Sequence, residues 1–583
     1  MKIKNVKISN FRSIIDVEIS FEKLMMFIGQ NNHGKSNVLY GILFFFGEIK
    51  IQDLDFFDGT DELFVEILFY DLDDDDKTTF NKYLTIENEI LVRKTAYRNG
   101  SFEYNGYIQN PQDECLKESN ATNYRTRERA QALPFYDLLP SEGRLTIAII
   151  QDAQKEYIQN NRGSIDFVYE LEESNFLGAK NVAQGMFGEI FFIPAVKSIN
   201  EDLANNKTSL FTKLYSKVIE LITSSNTDIS TLKTQINTQF SKFNKYNEDN
   251  SENEDRPIEL NDFENRLSGN LREWGVNLEV EILPPNIDDV FKSDVNVWIH
   301  DGIKTDINRK GHGLQRALTF SLIKTFSEHL SSIPEDERPN RQASKSSYFI
   351  FEEPELYLHP QAQRALLDTL LNLSNDSQVI LCTHSSALIS LDNYKSIVIV
   401  RKDKTTNETS ITQYQEEIFE GDEKKNFNLL SWINPDRAEL FFAKKVILVE
   451  GATEKAIIPF IAKKLGIFKF EYTLIDCGSK TSIPYYINLL NKFKIPYVAV
   501  YDKDHQSIKQ QQARDVADRD TYKIENVMDI NIGKSVMFIN DIEEELGMIA
   551  SISSKPFTAL EEISKEEFTI PTSLETKIRD IFL

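Results

Sequence analysis

At 583 residues the chain is too long for one hydrophobic core, so two to four domains are expected. Its 41% apolar and 27% charged residues suit a soluble globular protein, without the run of about 18 apolar residues that would span a membrane or the apolar region of a secretory leader. The net charge of −25 argues against nucleic-acid binding by the surface as a whole, although acidic clusters that hold divalent cations are counted here without their metal.

The N-terminal segment predicts three strands (KIKNVKIS, IDVEISF, LMMFIG), then the loop QNNHGK and the helix SNVLYGILFFF. ELFVEILFYDL, EILVRKTAY and GEIFFIPAV continue as strands. From about Ala204 the period becomes helical, with stripes Leu210/Leu214/Val218/Leu221, Leu232/Ile236/Phe240 and Phe263/Leu267/Leu271/Trp274. The polar segment NKYNEDNSENEDRP before the third stripe reads as a loop or mobile linker. These helices either pack on a core of their own or form an insertion used for dimerisation. NLEVEIL and VNVWIHDG are strand-like, and a helix is expected near Leu314. The linker SSIPEDERPNRQASKS then leads to the apolar run SYFIFEEPE. Beyond Arg401, KDKTTNETS and QYQEEIFEGDEKKN read as an inter-domain connection, after which KKVILVEG opens a new strand–turn–helix unit. Cys115, Cys382 and Cys477 are too dispersed for a zinc module or a disulfide framework, which suits the cytoplasm.

Gly29-Gln-Asn-Asn-His-Gly34-Lys35-Ser36 fits G-x-x-x-x-G-K-[ST] between an apolar strand and a helix, a geometry that turns backbone N–H groups toward phosphate oxygens. In that geometry Lys35 can reach the β- and γ-phosphates of ATP, and the Ser36 hydroxyl can ligate Mg²⁺. In YFIFEEP, Glu352 at a strand end can bind the Mg²⁺ shell and Glu353 can orient or deprotonate the attacking water. His384, ending the strand of VILCTHSS, is either structural or a γ-phosphate contact. KGHGLQR offers a second helix N-terminus or a plain turn.

In the C-terminal third, Glu450 ends an apolar strand and Glu454 falls in the first turn of the next helix. PYVAVYDKDH ends another strand with Asp502 and Asp504, whose i, i+2 spacing puts them on one face. Asp541 and Glu543 in FINDIEEEL repeat that spacing. Gathered carboxylates repel unless cations neutralise them, and an all-oxygen set suits Mg²⁺ or Mn²⁺ and not zinc. Two such ions bridging a phosphate can promote phosphodiester hydrolysis.

In order, ISNFRSI, GQNNHGKSN, GHGLQRAL, FIFEEPELYLHP and LCTHSS resemble the ABC-ATPase heads of the SMC and RecF-like families. VEGATEKAII followed by YDKD resembles the Toprim domain of topoisomerases, primases and nucleases. ABC head first and Toprim last is the architecture of the OLD (overcoming lysogenization defect) family, which includes the nuclease subunit of the Gabija antiphage system. The resemblance covers nearly the whole chain. It implies an α/β fold: a P-loop ATPase with a helical insertion, then a Rossmann-like Toprim domain. It places Arg12, Asn32, Gly34, Lys35, Ser36, Asn37, Glu352 and His384 at the nucleotide, and Gly311, Gly313 and Gln315 on ATP held by a second subunit. It makes Glu450, Glu454, Asp502, Asp504, Asp541 and Glu543 metal ligands and adds a later lysine, for which Lys555 is the candidate.

The expected domains are 1–203 and 286–435 for the ATPase, 204–285 for the insertion and 436–583 for Toprim. The expected activity is DNA nicking or cleavage with two Mg²⁺ or Mn²⁺ in Toprim and one Mg²⁺ with ATP, in a homodimer or homotetramer. A UvrD-like helicase or another defence component is a candidate partner. The competing expectations are a topoisomerase or primase, which would need a gate domain or a zinc module, and an ATP-driven DNA clamp or repair protein whose Toprim fold does not cut. An ABC transporter subunit fits neither the insertion nor the C-terminal domain.

Overall fold

The computed structural model describes residues 1–172, 174–178, 186–195, 227–246, 251–253, 255–270, 298–300, 302–306, 309–332, 346–389, 391–403, 405–433, 435–505, 510–547 and 555–583. The stripe at 210–221, the Leu271 and Trp274 end of the third stripe, NLEVEIL and most of the linker at 331–346 lie outside the described residues. The chain forms two compact units, one of Met1–Phe191, Gln342–Glu355 and Ser377–Leu583, the other of Phe192–Arg341 and Leu356–Asp376.

In the first unit, β1 (Lys2–Phe11) and β2 (Ile14–Ser20) form a hairpin that continues through β4 (Glu62–Tyr70), β5 (Ile90–Tyr97), β6 (Phe102–Pro111) and β7 (Phe167–Leu171) as an antiparallel sheet. Alternating apolar residues of β1, such as Val6 and Ile8, are fully buried. A second sheet has the order β14 (Thr409–Gln413), β13 (Ile397–Lys402), β3 (Leu24–Ile28), β12 (Gln378–Cys382), β11 (Ser347–Glu352), β8 (Glu189–Ile193). Strands β13, β3, β12 and β11 run parallel, and every residue of β3 and β12 is buried, which explains the unbroken apolar reading of LMMFI. Between the sheets the buried Gln378 amide accepts from Ile3 N–H at 2.8 Å and donates to the carbonyls of Ile3 at 2.8 Å and Glu22 at 3.0 Å. The amide satisfies backbone groups that packing would otherwise leave unpaired. Helix α1 (Lys35–Phe45) follows β3.

A four-stranded parallel sheet of order β16 (Tyr472–Asp476), β15 (Lys445–Val449), β17 (Tyr497–Asp502), β18 (Gly533–Phe538) makes up the C-terminal part. Ile447, Val449, Val498 and Val500 pack into one core with residues of α7 (Ala452–Lys464), α10 (Lys555–Ser564) and α11 (Thr572–Phe582). The chain leaves β15 toward β16 on one side and β17 on the other, so the crevice beyond the C-terminal ends of β15 and β17 is a topological switch point, where α/β sheets bind ligands.

The second unit contains α2 (Thr227–Ser241), α3 (Ile258–Asn270), the hairpin of β9 (Trp298–His300) and β10 (Lys304–Asp306), α4 (His312–Ser332) and α5 (Pro360–Asp376). The polar segment expected to be a loop or mobile linker is a loop where it is described, and it is tied down. Arg256 is buried, pairs with Glu264 at 2.5 Å and donates to Phe243 O, and Asn253 donates to the carbonyls of Ser241 and Asn244. Long-range polar contacts of this kind carry no apolar period, so the sequence offers no sign of them. The expected inter-domain connection beyond Arg401 also differs: KDKTTNETS turns β13 into the antiparallel β14, and Gly421–Ile433 is a helix, α6. Asp403 shapes that turn by accepting from the N–H groups of Thr405 and Thr406.

Candidate functional site

Two sites lie at strand ends of the first unit. At the first, the turn from β3 into α1 has two positions that only glycine fills. A Cβ on Gly29 (φ 148°) would stand 2.2 Å from Val400 O, and one on Gly34 (φ 97°) would stand 2.3 Å from Thr409 Oγ1. Asn32 is also left-handed, at φ 63°. Lys35 is buried, and its ammonium donates to the carbonyls of Gly29 at 3.1 Å and Gln30 at 3.0 Å. Burial lowers its pKa, against the pull of Cys382, Glu353, Glu355 and Glu352.

Register places Glu352 opposite Cys382 on the neighbouring parallel strand, and the next residue, Glu353 (φ 44°), donates its N–H to Cys382 O. The Glu353 carboxylate stands 3.6 Å from His384 Nε2. Burial, and secondarily Lys35, hold the His384 pKa down to about 4, which keeps the imidazole neutral near pH 7. Its backbone N–H donates to Glu355 at 2.6 Å.

The cleft so formed is lined by Arg12, Ser13, Asn31, Asn32, Gly34, Lys35, Ser36, Asn37, Glu353, His384 and Lys402. A hydrogen-bonded chain crosses one wall. Arg12, held by Asp55 at 2.8 Å, donates to Asn37; Asn37 donates to Ser13; Ser13 meets the Thr409 hydroxyl at 2.7 Å; and Thr409 donates to His33 O. The sequence did not single out Ser13, Asn31, Asp55, Lys402 or Thr409. Ser13 and Asn31 lie within recognised motifs as positions given no role, whereas Thr409 lies 375 positions from Gly34 in a charged stretch that reads as an inter-domain connection. Gly311, Gly313 and Gln315 lie at the N-terminus of α4 in the second unit, where the Leu314 and Gln315 N–H groups both bond to Gly311 O.

The second site is at the β15–β17 switch point. Glu450 follows β15 and accepts the Asp502 N–H at 2.7 Å. Glu454, in the first turn of α7, is buried and accepts from Gly451 N–H at 3.1 Å. Asp502 ends β17, is buried, and its Oδ1 has no hydrogen-bond partner among the described residues. Burial first, then the charges of Glu450, Glu454, Asp504 and Asp541, push its pKa up to about 9. Burial raises Glu450 to about 7, opposed by the Asp502 N–H and Lys480 and assisted by Asp504 and Glu454. Glu454 is raised by burial, with Glu543 and Asp476 adding to it. Carboxylates from three separate segments thus share one electrostatic neighbourhood.

Local geometry corrects the shared-strand-face expectation for two of the pairs. Asp504 lies past the end of β17 with φ 63°, and Asp541 is the N-cap of the short helix α9 (Ile542–Glu545), accepting from Glu544 N–H at 2.8 Å with Glu543 in its first turn. A turn and a helix cap, not alternation along a strand, aim these groups. Among the described residues, no three His, Cys, Asp or Glu side chains are spaced to hold one ion as they stand. The donor set nevertheless fits a hard divalent cation: it is all oxygen, mutually repelling, and includes a buried carboxylate oxygen with nothing to bond. Lys555 opens α10, and its side chain lies outside the described residues. Lys480, which the sequence did not single out, is buried and donates from its ammonium to Asp502 O.

A P-loop cleft on one sheet and an acidic switch point on another define an ATPase joined to a Toprim-type domain. The AAA ATPase domain family matches residues 1–389, and the overcoming lysogenization defect protein-like TOPRIM domain matches residues 441–504. The chain belongs to the AAA ATPase domain family, and an overcoming lysogenization defect protein-like TOPRIM domain follows that part. It is 25% identical over 575 residues to the Old nuclease of Escherichia phage P2, covering 96% of this chain and 86% of that one. It is 24% identical over 527 residues to the endonuclease GajA of Bacillus cereus (strain VD045), covering 87% and 76%. Among solved structures, an SmcHead bound to the C-winged helix domain of ScpA matches with 13% identity and a TM-score of 0.36, covering 71% of this chain and 99% of that one. Among the described residues no helix is long and apolar enough to cross a membrane.

Proposed function

We propose that the chain is a cytoplasmic, divalent-metal-dependent DNA endonuclease of the OLD family whose cutting is controlled by ATP, acting in antiphage defence. The observation that carries this reading is the environment of Asp502, a buried carboxylate with an unpartnered oxygen on which acidic residues from three segments converge. Glu450, Glu454, Asp502, Asp504, Asp541 and Glu543 hold Mg²⁺ or Mn²⁺, with Lys555 as a further catalytic candidate. Cations held there would supply the positive charge that activates water and stabilises the leaving oxygen of a phosphodiester. The chain's own part is to exclude bulk water around Asp502 and to hold that residue by its peptide.

In the ATPase, Lys35 and Ser36 take the phosphates and their Mg²⁺, Glu352 supports that ion, and Glu353 orients the attacking water. Neutral His384 senses the γ-phosphate, while Arg12, Asn32, Gly34 and Asn37 shape the cleft. Gly311, Gly313 and Gln315 serve ATP bound by a second copy, which calls for a homodimer or homotetramer. Residues 204–285 form the insertion used in that assembly, and residues 436–583 are the nuclease domain. A UvrD-like helicase or other defence component is the proposed partner.

Plasmid nicking with Mg²⁺ or Mn²⁺, with and without ATP, tests the reading. Asp502→Ala is expected to abolish nicking and keep ATP binding; nicking by that variant at the wild-type rate refutes the assignment. The competing reading is an ATP-driven clamp whose Toprim domain does not cut. Calorimetric titration separates the two, because the clamp requires no Mn²⁺ binding that depends on Glu450.

A further inference from the structure

Asp502 is held at its peptide from both sides. Its N–H goes to Glu450, and its carbonyl accepts from the buried ammonium of Lys480. Those two bonds hold the residue on which the charges of Glu450, Glu454, Asp504 and Asp541 act and whose Oδ1 has no partner among the described residues, and Lys480 also acts electrostatically on Glu450.

Lys480 starts a single-turn 3-10 segment, Lys480–Ser482, that runs directly into α8 (Ile483–Lys492). The turn is braced by Ser479, whose hydroxyl meets those of Thr481 and Ser482 at 2.9 Å each. At the far end of α8 the chain touches the nucleotide-binding sheet. Arg401 of β13 donates to Phe493 O at 3.3 Å, and Lys492 stands 4.9 Å from the centre of the Tyr414 ring, just beyond β14. These two strands also reach the nucleotide cleft, through Lys402 on its lining, Val400 O against Gly29, and Thr409 against Gly34. One rigid helix therefore joins the hairpin behind the P-loop to the peptide of Asp502.

We propose that Lys480 is a positioning residue for the Toprim carboxylates, and that α8 is the strap through which the nucleotide-bearing sheet sets its position. This rests on the nuclease reading above and specifies how ATP acts on it. Coupling of this kind travels through contiguous packed and hydrogen-bonded groups, and a helix transmits displacement with little loss along its axis. Nucleotide entering the cleft moves the β13–β14 hairpin, Arg401 carries the shift to Phe493, and Lys480 alters its hold on the Asp502 carbonyl.

The test is Mn²⁺-dependent plasmid nicking by the full chain, with and without ATP, for the wild type, Lys480→Met, Arg401→Ala and Lys492→Ala, with ATP turnover measured alongside. Lys480→Met is expected to raise the half-saturating Mn²⁺ concentration, or lower nicking, by roughly 10- to 100-fold, with turnover unchanged. Arg401→Ala and the milder Lys492→Ala are expected to nick without nucleotide within about twofold of wild type while losing most of the ATP effect, a change of about 2- to 30-fold in the ratio. Wild-type metal dependence in Lys480→Met, or an unchanged ATP ratio in both anchor variants, overturns the strap. Nicking that survives Asp502→Ala instead overturns the nuclease assignment. Wild-type nicking indifferent to ATP overturns the regulatory reading, and the strap with it.

Discussion

A carboxylate normally enters a protein interior only with partners for its charge, yet Asp502 is buried among acidic neighbours with one oxygen unbonded. Its pKa near 9 and that of Glu450 near 7 lie above the ordinary 3.8 and 4.5, so both groups bind protons more tightly when the chain is folded. The stability linked to them is fully present below about pH 4 and is lost as pH rises through about 7 for Glu450 and about 9 for Asp502. Divalent cations that displace those protons offset the loss. Thermal unfolding is therefore expected to show a larger Mn²⁺-induced rise in Tm at about pH 8.5 than at about pH 6. A rise that shrinks with pH contradicts this account. By the same reasoning Asp502→Asn, which keeps the shape but no longer has to take up a proton on folding, is expected to raise the metal-free Tm at about pH 8 by on the order of a few degrees while abolishing nicking.

Among the elements, the P-loop depends on a partner distant in sequence. Thr409 takes the space that any side chain on Gly34 would need, and it links Ser13 to the loop backbone through His33 O. Thr409→Val keeps the volume and removes the hydrogen bonds, so ATP affinity measured with a fluorescent analogue is expected to weaken about 3- to 10-fold. Gly34→Ala forces a Cβ against Thr409 at a left-handed φ and is expected to lose measurable nucleotide binding, as is ATP turnover in Lys35→Ala. The glycines, the lysine and the strand–loop–helix context were legible in the sequence because they are local. β14 and α6 were not: Thr409–Gln413 is short, polar and half-exposed, and it is held as a strand by its register with β13. The acidic motifs show the same division. Glu450 and Asp502 were placed correctly at strand ends, since the apolar runs before them set the boundary, whereas the turn at Asp504 and the helix cap at Asp541 depend on backbone geometry that i, i+2 spacing does not encode.

For the whole molecule, a net charge of −25 means that attraction to DNA must be concentrated locally rather than spread over the surface. The proposed DNA binding through Lys and Arg contacts to phosphates would release counterions, so DNA affinity is expected to fall at least about tenfold between roughly 50 and 200 mM salt, with basal ATP turnover little changed. Filter binding across a salt series checks this, and a flat response removes phosphate contacts from the account.

By itself, the sequence determined the α/β class, the order of ATPase and Toprim domains, and the acidic and P-loop motifs, because each is written in contiguous residues whose period or spacing has a direct physical meaning. Tertiary structure alone decided that Thr409 closes the P-loop, that Gln378 joins two sheets, and that Lys480 holds the carbonyl of Asp502. Each of these is one polar side chain serving a backbone group far away in sequence. Burial makes such a contact obligatory, but nothing periodic announces it.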